Sequence, residues 1–402
     1  MITEYVKGKP YFINTQTKIN AFPYLNENVI CDVLIIGGGI DGAITNYFFS
    51  NAGINTILID KNRFGYGNTS CATCLLEYQL DEHANNLTKF FTKKQLVEVY
   101  KIGLKSLEDI DKIINKIGNN CHYFKRDTLM FSQKEGDIDE LKQEYDFRKE
   151  NGFDVEFLHE GNNPFPFKIM AGILAKNGGA EFNPYLFTNQ MIENSPKKFS
   201  RCYEHTEATI LQKTADGIKV ITQYGIQILA KKVILATGYN TKLLGKQKFC
   251  NKFISYTIVT QPLKNLPWQN STLLQDNAMP YHYARISPDN RVIFGGEDVP
   301  FKNDTINLRT AQKKYNALEK TLCQLLQVQK INIEYKFCGA FSATSNNLAV
   351  IGKTTSPNIW VNLGYGANGI IYSVFGAQLL LNIYYNKYNK FLKLFAPTRK
   401  LP

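Results

Sequence analysis

The chain has no block of basic residues, no internal repeat, no low-complexity linker and no clustered cysteines, and each absence narrows the function. Lys+Arg total 47 against 35 Asp+Glu, a formal charge of +12. That excess alone would suit RNA, a membrane surface or a phosphorylated substrate. The pairs Lys93-Lys94, Lys197-Lys198 and Lys231-Lys232 never extend further. The charge therefore reads as a solvated surface; a nucleic-acid partner and RNA modification would rest on charge alone. The eight cysteines, Cys31, Cys71, Cys74, Cys121, Cys202, Cys250, Cys323 and Cys338, are dispersed, and Met1-Ile2-Thr3-Glu4 opens no signal-peptide pattern. Reduced thiols and a cytoplasmic location are expected. One Cys-x-x-Cys cannot supply the four thiolates of a structural zinc site, so no metal is expected.

One long uncharged run, Thr354 to Asn386, exceeds the ~20 residues of a membrane span. Asn362, Gly364, Gly366, Asn368, Gly369 and Gln378 divide it into a strand, a loop and a helix, which predicts buried core rather than a transmembrane segment. Hydrophobic content of 44% and aromatic content of 13% are globular values, and 402 residues predict two lobes.

What is present centres on residues 31–60. Cys31-Asp32-Val33-Leu34-Ile35-Ile36 predicts a buried strand, Gly37-Gly38-Gly39-Ile40-Asp41-Gly42 a turn into a helix, and Thr56-Ile57-Leu58-Ile59 a second strand ending at Asp60. Gly37 permits the tight turn, Gly39 lets backbone approach a pyrophosphate, and Gly42 lets the helix pack close. The pyrophosphate would sit on the helix N-terminus. Asp60, 23 residues after Gly37, stands where an acid bonds a ribose hydroxyl. Asp41, inside the turn, is expected to face solvent.

Further along, residues 67–78 predict a loop that starts a helix beside a ligand. Leu96, Val97, Tyr100, Leu104, Leu107, Ile110, Ile113, Ile114 and Ile117 recur at helical spacing. Strands are predicted at Tyr123–Ser132, Phe153–Leu158, Ala208–Lys213, Ile218–Gln223 and near Ile254–Pro262, helices at Glu140–Asn151 and Leu308–Leu326. Gly178 to Tyr185 reads as a turn into a helix, and Pro280–Asp298 as a hairpin turning at Asp289-Asn290.

Four blocks resemble the D-amino-acid oxidase-like flavoproteins, the family of glycine and sarcosine oxidases, including an unassigned bacterial branch. They are Gly37–Asp60; Gly67-Asn68-Thr69-Ser70-Cys71-Ala72-Thr73-Cys74; Ala236-Thr237-Gly238-Tyr239; and Gly339 through Gly352 with Gly364-Tyr365-Gly366-Ala367-Asn368-Gly369-Ile370. The resemblance implies a discontinuous Rossmann-like α/β FAD-binding domain (1–90, 150–250, 336–402). Inserted in it is an α+β substrate or cap domain dominated by a mixed or antiparallel sheet (91–149, 251–335). It implies FAD, held non-covalently, at Gly37, Gly39, Ile40, Gly42, Asp60, Lys61, Gly67, Thr69, Ser70, Ala208, Ala236, Thr237, Gly238, Gly339, Gly366, Asn368, Gly369 and Ile370.

The implied activity is removal of a hydride from a C–N bond of a small amine or amino-acid derivative. Oxidation of a 2-hydroxy acid or phospho-alcohol is the alternative, as is a flavin-carrying subunit that relays electrons to a protein. The acceptor stays open among oxygen, quinone and protein. Amine-acid oxidases of the family carry an arginine before the Thr344 region to fork a carboxylate; here that position is Phe341. Arg285 is the replacement candidate for a possibly anionic substrate, because alternation puts Tyr281, Tyr283 and Arg285 on one strand face. The other reading of Arg285 is a surface charge beside a hairpin. His282 would be structural. Cys71 and Cys74 either relay electrons or fill space, and Cys338 stands one residue from where some members attach FAD covalently.

Overall fold

The computed structural model describes residues 5–15, 21–240, 242–244, 249–301, 305–364, 366 and 368–399. Met1 to Glu4, Tyr365 and Ala367 lie outside the described residues.

Two sheets organise the molecule. The first has eight strands, in the order Val350–Lys353, Ile359–Leu363, Gln227–Leu235, Val29–Ile36, Thr56–Ile59 and Ser200–Tyr203. Ile218–Thr222 and Ala208–Lys213 form an antiparallel arm on Gln227–Leu235. The central strands pair in parallel. Their inner residues, including Val33, Leu34, Ile35, Ile57, Leu58, Val233, Ile234 and Leu235, are fully buried. Near-continuous apolar runs are what a sheet covered on both faces requires.

The second sheet has ten strands and is antiparallel apart from one pairing. Its order is Val6–Gly8, Ile333–Ala343, Asn251–Thr260, Val292–Pro300, Tyr283–Ile286, Leu273–Asp276, Phe124–Ser132, Ala171–Glu181 and Leu75–Glu77, with Val155–Leu158 also on Ala171–Glu181. Leu273–Asp276 and Phe124–Ser132 are the parallel pair. The strands divide differently from the expected ranges. Val155–Leu158 and Ala171–Glu181, inside 150–250, join this second sheet, as does most of the 336–343 stretch. Cross-strand pairing, which has no local signal, decides that membership.

Among the described residues six longer helices complete the fold: α1 (Ile40–Asn51), α2 (Lys93–Ile117), α3 (Ile138–Glu150), α4 (Pro184–Glu193), α5 (Leu308–Leu325) and α6 (Gly369–Tyr384). α2 starts in a capping box, Thr92 accepting from Gln95 N–H and Gln95 from Thr92 N–H. It buries Leu96, Val99, Tyr100, Gly103, Leu107, Ile110 and Ile114, each large apolar side chain contributing about 1.5–3 kcal/mol. Its partner α6 is apolar almost all round because it also packs on α1. α6 holds the uncharged run predicted as core; among the described residues no helix is long and apolar enough to cross a membrane.

Two local expectations are corrected. Gly178–Glu181 is the end of a strand, not a turn, since Gly179 lies so close to Leu76 that a Cβ would meet its carbonyl oxygen at 2.4 Å. The turn falls at Phe182-Asn183, where Asn183 caps α4 by accepting from Tyr185 N–H and Leu186 N–H. Residues 67–78 likewise hold a single 3-10 turn, Asn68–Cys71, and then the strand Leu75–Glu77 rather than a helix.

Candidate active site

A cavity of about 540 Å³ runs between the two sheets. One end is built by the glycine turn. Gly37 has φ +109°, and a Cβ there would stand 2.4 Å from Ala236 O; only glycine fits. At Gly42 a Cβ would stand 1.7 Å from Gly37 O, so this residue sets the packing of α1 against the turn and does not itself line the cavity. Gly39 precedes α1 in extended conformation, and Ile40 N–H donates to Thr69 Oγ1 at 3.0 Å. Asp60 accepts from Gly38 N–H and Asn62 N–H, both at 2.7 Å. Burial pushes its carboxyl up to about 6 against those two donors. Lys61, Thr206, Ala208, Ala236, Thr237 and Gly238 continue this wall.

The middle of the cavity is lined by Gly67, Asn68, Thr69, Cys71, Gly339, Gly366, Asn368, Gly369 and Ile370. Asn68 donates to Ala340 O, which ties the 3-10 turn to the second sheet. Ser70 does not line the cavity; its hydroxyl donates to Gly67 O at 2.8 Å and shapes the turn. Asn368 accepts from Glu77 N–H at 3.2 Å and donates to Gln79 O at 2.7 Å, so the start of α6 fixes residues 77–79. Asp41 does not face solvent. It accepts from Ser373 Oγ and, at 3.4 Å, from Gly364 N–H, clasping α1 to the loop before α6. Burial there pushes its carboxyl up to about 6.

The far end brings together Tyr5, Ser255, Thr257, Gln275, Tyr281, Tyr283 and Phe341 with three carboxylates, Glu77, Asp81 and Asp298. The Tyr281 and Tyr283 rings stand 6.1 Å apart, and Tyr283 OH lies 2.8 Å from Ser255 Oγ. Phe341 stacks on Phe253 at 5.4 Å, so an apolar ring fills the position of the expected arginine. Burial, then the neighbouring Asp81, pushes Glu77 up to about 7 and Asp298 up to about 6. Tyr281 is raised by burial first and then by Asp81, Asp298 and Glu77, which places its phenol within electrostatic reach of all three acids. Glu77 and Asp81 carried no sequence signal for a binding role. These two come from one stretch of chain and Asp298 from another, and their meeting is set by the second sheet.

Arg285 is a correction. It shares a strand face with Tyr283, as alternation requires, but it does not line the cavity. It is 1% exposed, 3.1 Å from Glu181, donates to Phe182 O at 3.0 Å, and lies over the Phe12 ring. The short helix Tyr11–Asn14 and the end of the Ala171–Glu181 strand cover it. Tyr281 and Tyr283 do line the cavity. His282 is held by Asp276 at 2.7 Å and stacks on Phe294, outside the cavity.

The cysteines occupy different surroundings. Cys71 sits against Gly339, where a Cβ would meet its sulfur at 2.1 Å. Cys74 faces Arg285, Cys121 and Glu181. Burial pushes both thiols up to about 12, so neither is a thiolate at neutral pH. Cys338 is fully buried and bonds Tyr315 of α5, on the opposite side of its strand from cavity-lining Gly339. Among the described residues no group of three or more His, Cys, Asp or Glu could hold a metal ion.

Residues 32–383 match the family described as FAD dependent oxidoreductase, DAO. The chain is 22% identical over 394 residues to "Putative Rieske 2Fe-2S iron-sulfur protein" of Bacillus subtilis (strain 168), covering 96% of this chain and 74% of that protein. It is 20% identical over 382 residues to gamma-glutamylputrescine oxidoreductase of Escherichia coli (strain K12), covering 93% and 88%. Its fold matches the crystal structure of glycine oxidase from Geobacillus kaustophilus with a TM-score of 0.80 at 18% identity, covering 93% and 100%. A strand, glycine turn and helix packed against α6, with a family match from residue 32 to residue 383, make this chain a member of the DAO family of FAD-dependent oxidoreductases.

Proposed function

We propose that the protein removes a hydride from the carbon of a C–N bond in a small amine. The observation that carries this reading is the composition of the far end of the cavity. It holds three carboxylates and two tyrosines, while its lining lysines, Lys61 and Lys242, come from stretches beside Asp60 and Tyr239. A 2-hydroxy acid or phospho-alcohol would need a cation there, and Arg285 is already engaged with Glu181 and Phe182.

The residues fit FAD. The Gly37–Gly42 turn and the N-terminus of α1 would take the pyrophosphate, and Asp60 with Lys61 the ribose. Thr206 to Thr209 would flank the adenosine. Asn68 to Ala72, Gly339 and Gly366 to Ile370 would hold the ring system. When bound, FAD supplies the hydride acceptor.

The chain's own residues prepare the substrate. An alkylammonium has no lone pair to push a hydride off the neighbouring carbon. Glu77, with its carboxyl raised to about 7, is matched to take one proton from that ammonium near neutral pH. The freed lone pair then forms the C=N bond as the hydride leaves, and the product is an iminium. The faces of Tyr281 and Tyr283 would hold the cation until the proton is lost. Phe341 and the closure of α6 keep water from the reacting carbon.

Anaerobic mixing of the FAD-loaded protein with amines, amino acids, 2-hydroxy acids and glycerol phosphate tests the reading. Bleaching of the flavin absorbance by amines is expected. Bleaching by hydroxy compounds alone would overturn it.

A further inference from the structure

We propose that the substrate carries at least one ammonium group besides the one oxidised and no carboxylate beside the reacting carbon, as in a small aliphatic di- or polyamine. This rests on the amine reading above and names its substrate class. The motive is an imbalance of charge at the far end of the cavity. Glu77, Asp81 and Asp298 line it together, and no cationic side chain among the described residues lines it beside them. Glu77 is 6% exposed, and its Oε1 has no hydrogen-bond partner. Asp298 Oδ1 is likewise buried without one. A buried carboxylate oxygen without a hydrogen-bond partner is costly unless a positive charge or a donor nearby compensates it.

The cations behind Glu77 and Asp298 are committed elsewhere. Arg148 of α3, which favours the charge of Glu77, is held by Glu144 at 2.7 Å. His282 and Lys314, which favour the charge of Asp298, are held by Asp276 and Glu297, each at 2.7 Å. Gln79 beside Glu77 and Ser255 beside Asp298 are the neutral donors on the other sides.

A single metal ion would also balance the charge, but these acids do not converge on one point. Three carboxylates within electrostatic reach of the Tyr281 phenol, but not gathered into a metal-holding group, suit a ligand with more than one positive charge, separated by methylenes. Tyr281 and Tyr283 line the same end of the cavity and supply ring faces, which would cover the methylenes and attract the ammonium groups. One ammonium would then lose its proton and be oxidised, while the other stays charged and holds the register. The carbon next to the amine needs no carboxylate, which accounts for Phe341 where an arginine would otherwise stand.

The test separates binding from turnover. The FAD-loaded protein is titrated with hexamethonium, a bis-quaternary ammonium ion that cannot be oxidised this way, and with tetramethylammonium, acetate and benzoate. The readout is the perturbation of the oxidised flavin spectrum. Hexamethonium should bind at least about tenfold more tightly than tetramethylammonium, and the two carboxylates should not perturb the spectrum. Asp81→Asn and Asp298→Asn should each weaken hexamethonium about tenfold, with unchanged FAD content showing that the variants fold. Affinity should rise as pH rises from 5.5 to 7.5, because Glu77 and Asp298 ionise across that range. Carboxylates binding more tightly than hexamethonium, or both variants binding it within twofold of the parent, would overturn the proposal. If amines bleach the flavin but hexamethonium does not bind, this inference fails and the amine reading stands. If hexamethonium binds but no amine bleaches, the amine reading fails and the cation site stands.

Discussion

Arg285→Met separates a structural arginine from a substrate anchor. The guanidinium is 1% exposed and lies 3.1 Å from Glu181, which is itself fully buried. That contact is electrostatic rather than a hydrogen bond, since Glu181 Oε2 and Arg285 Nε both lack hydrogen-bond partners. Arg285 also donates to Phe182 O at 3.0 Å. Methionine keeps the apolar stem, so the change removes the charge with its contact over the Phe12 ring and one hydrogen bond. Breaking a buried pair from one side costs about 3–5 kcal/mol. The low end applies, because Arg126 still bonds Glu181 at 2.7 Å. With about 1 kcal/mol for the hydrogen bond, the loss is roughly 4 kcal/mol. An unfolding entropy of about 2.1 cal/mol/K per residue over a chain of this length turns that into a fall in Tm of about 5 °C. Thermal unfolding followed by flavin fluorescence measures it. Glu181→Gln/Arg285→Met should recover at least half of the loss, since the second change removes the stranded charge. An Arg285→Met protein with unchanged Tm but lost affinity for anions would refute the reasoning and restore the anchor.

Gly42→Ala should abolish FAD retention through gel filtration, because the new methyl would stand 1.7 Å from Gly37 O and force α1 away from the turn; stoichiometric FAD would show that the turn adapts. Asp41→Asn should stabilise the cofactor-free protein at pH 8 by on the order of 1–3 kcal/mol, with the difference vanishing near pH 4. The sign follows from a carboxyl raised to about 6 by burial: the folded state binds the extra proton, so stability is full below the ordinary carboxylate range and is lost as pH rises to about 6. A pH-independent gap in urea titrations would contradict it. Cys71→Ser/Cys74→Ser should leave flavin reduction and reoxidation rates within about twofold, since both thiols are held up to about 12 and face different neighbours; a tenfold loss of reoxidation by the physiological acceptor would reinstate a relay.

The glycine turn and its strand–helix–strand frame were legible because they are local. Gly42 is required by a contact with Gly37 five residues back, and the spacing to Asp60 reflects one helix and one strand, whereas the tight contact at Gly37 is with distant Ala236. The helical spacing of α2 and the breakage of the 354–386 run into strand and helix were legible for the same reason. A resemblance in four blocks extended this to the whole cofactor end.

The reactive end was not legible, and the reason is sheet pairing. Strand alternation correctly put Tyr283 and Arg285 on one face, but whether that face is open depends on what lies across it. Phe12 and Glu181, far away in sequence, cover Arg285 and leave Tyr283 in the cavity. Asp41 read as solvent-facing because its partners, Gly364 and Ser373, lie more than 300 residues on. The basic sequence suggested an anionic substrate, yet net charge describes the surface, while the cavity's far end collects acids from residues 77, 81 and 298. The sequence by itself determined where a dinucleotide's inert half would lie and which family the chain resembles. Tertiary structure alone decided which charges line the cavity's far end, because those charges meet through pairings between distant strands that leave no trace in local pattern.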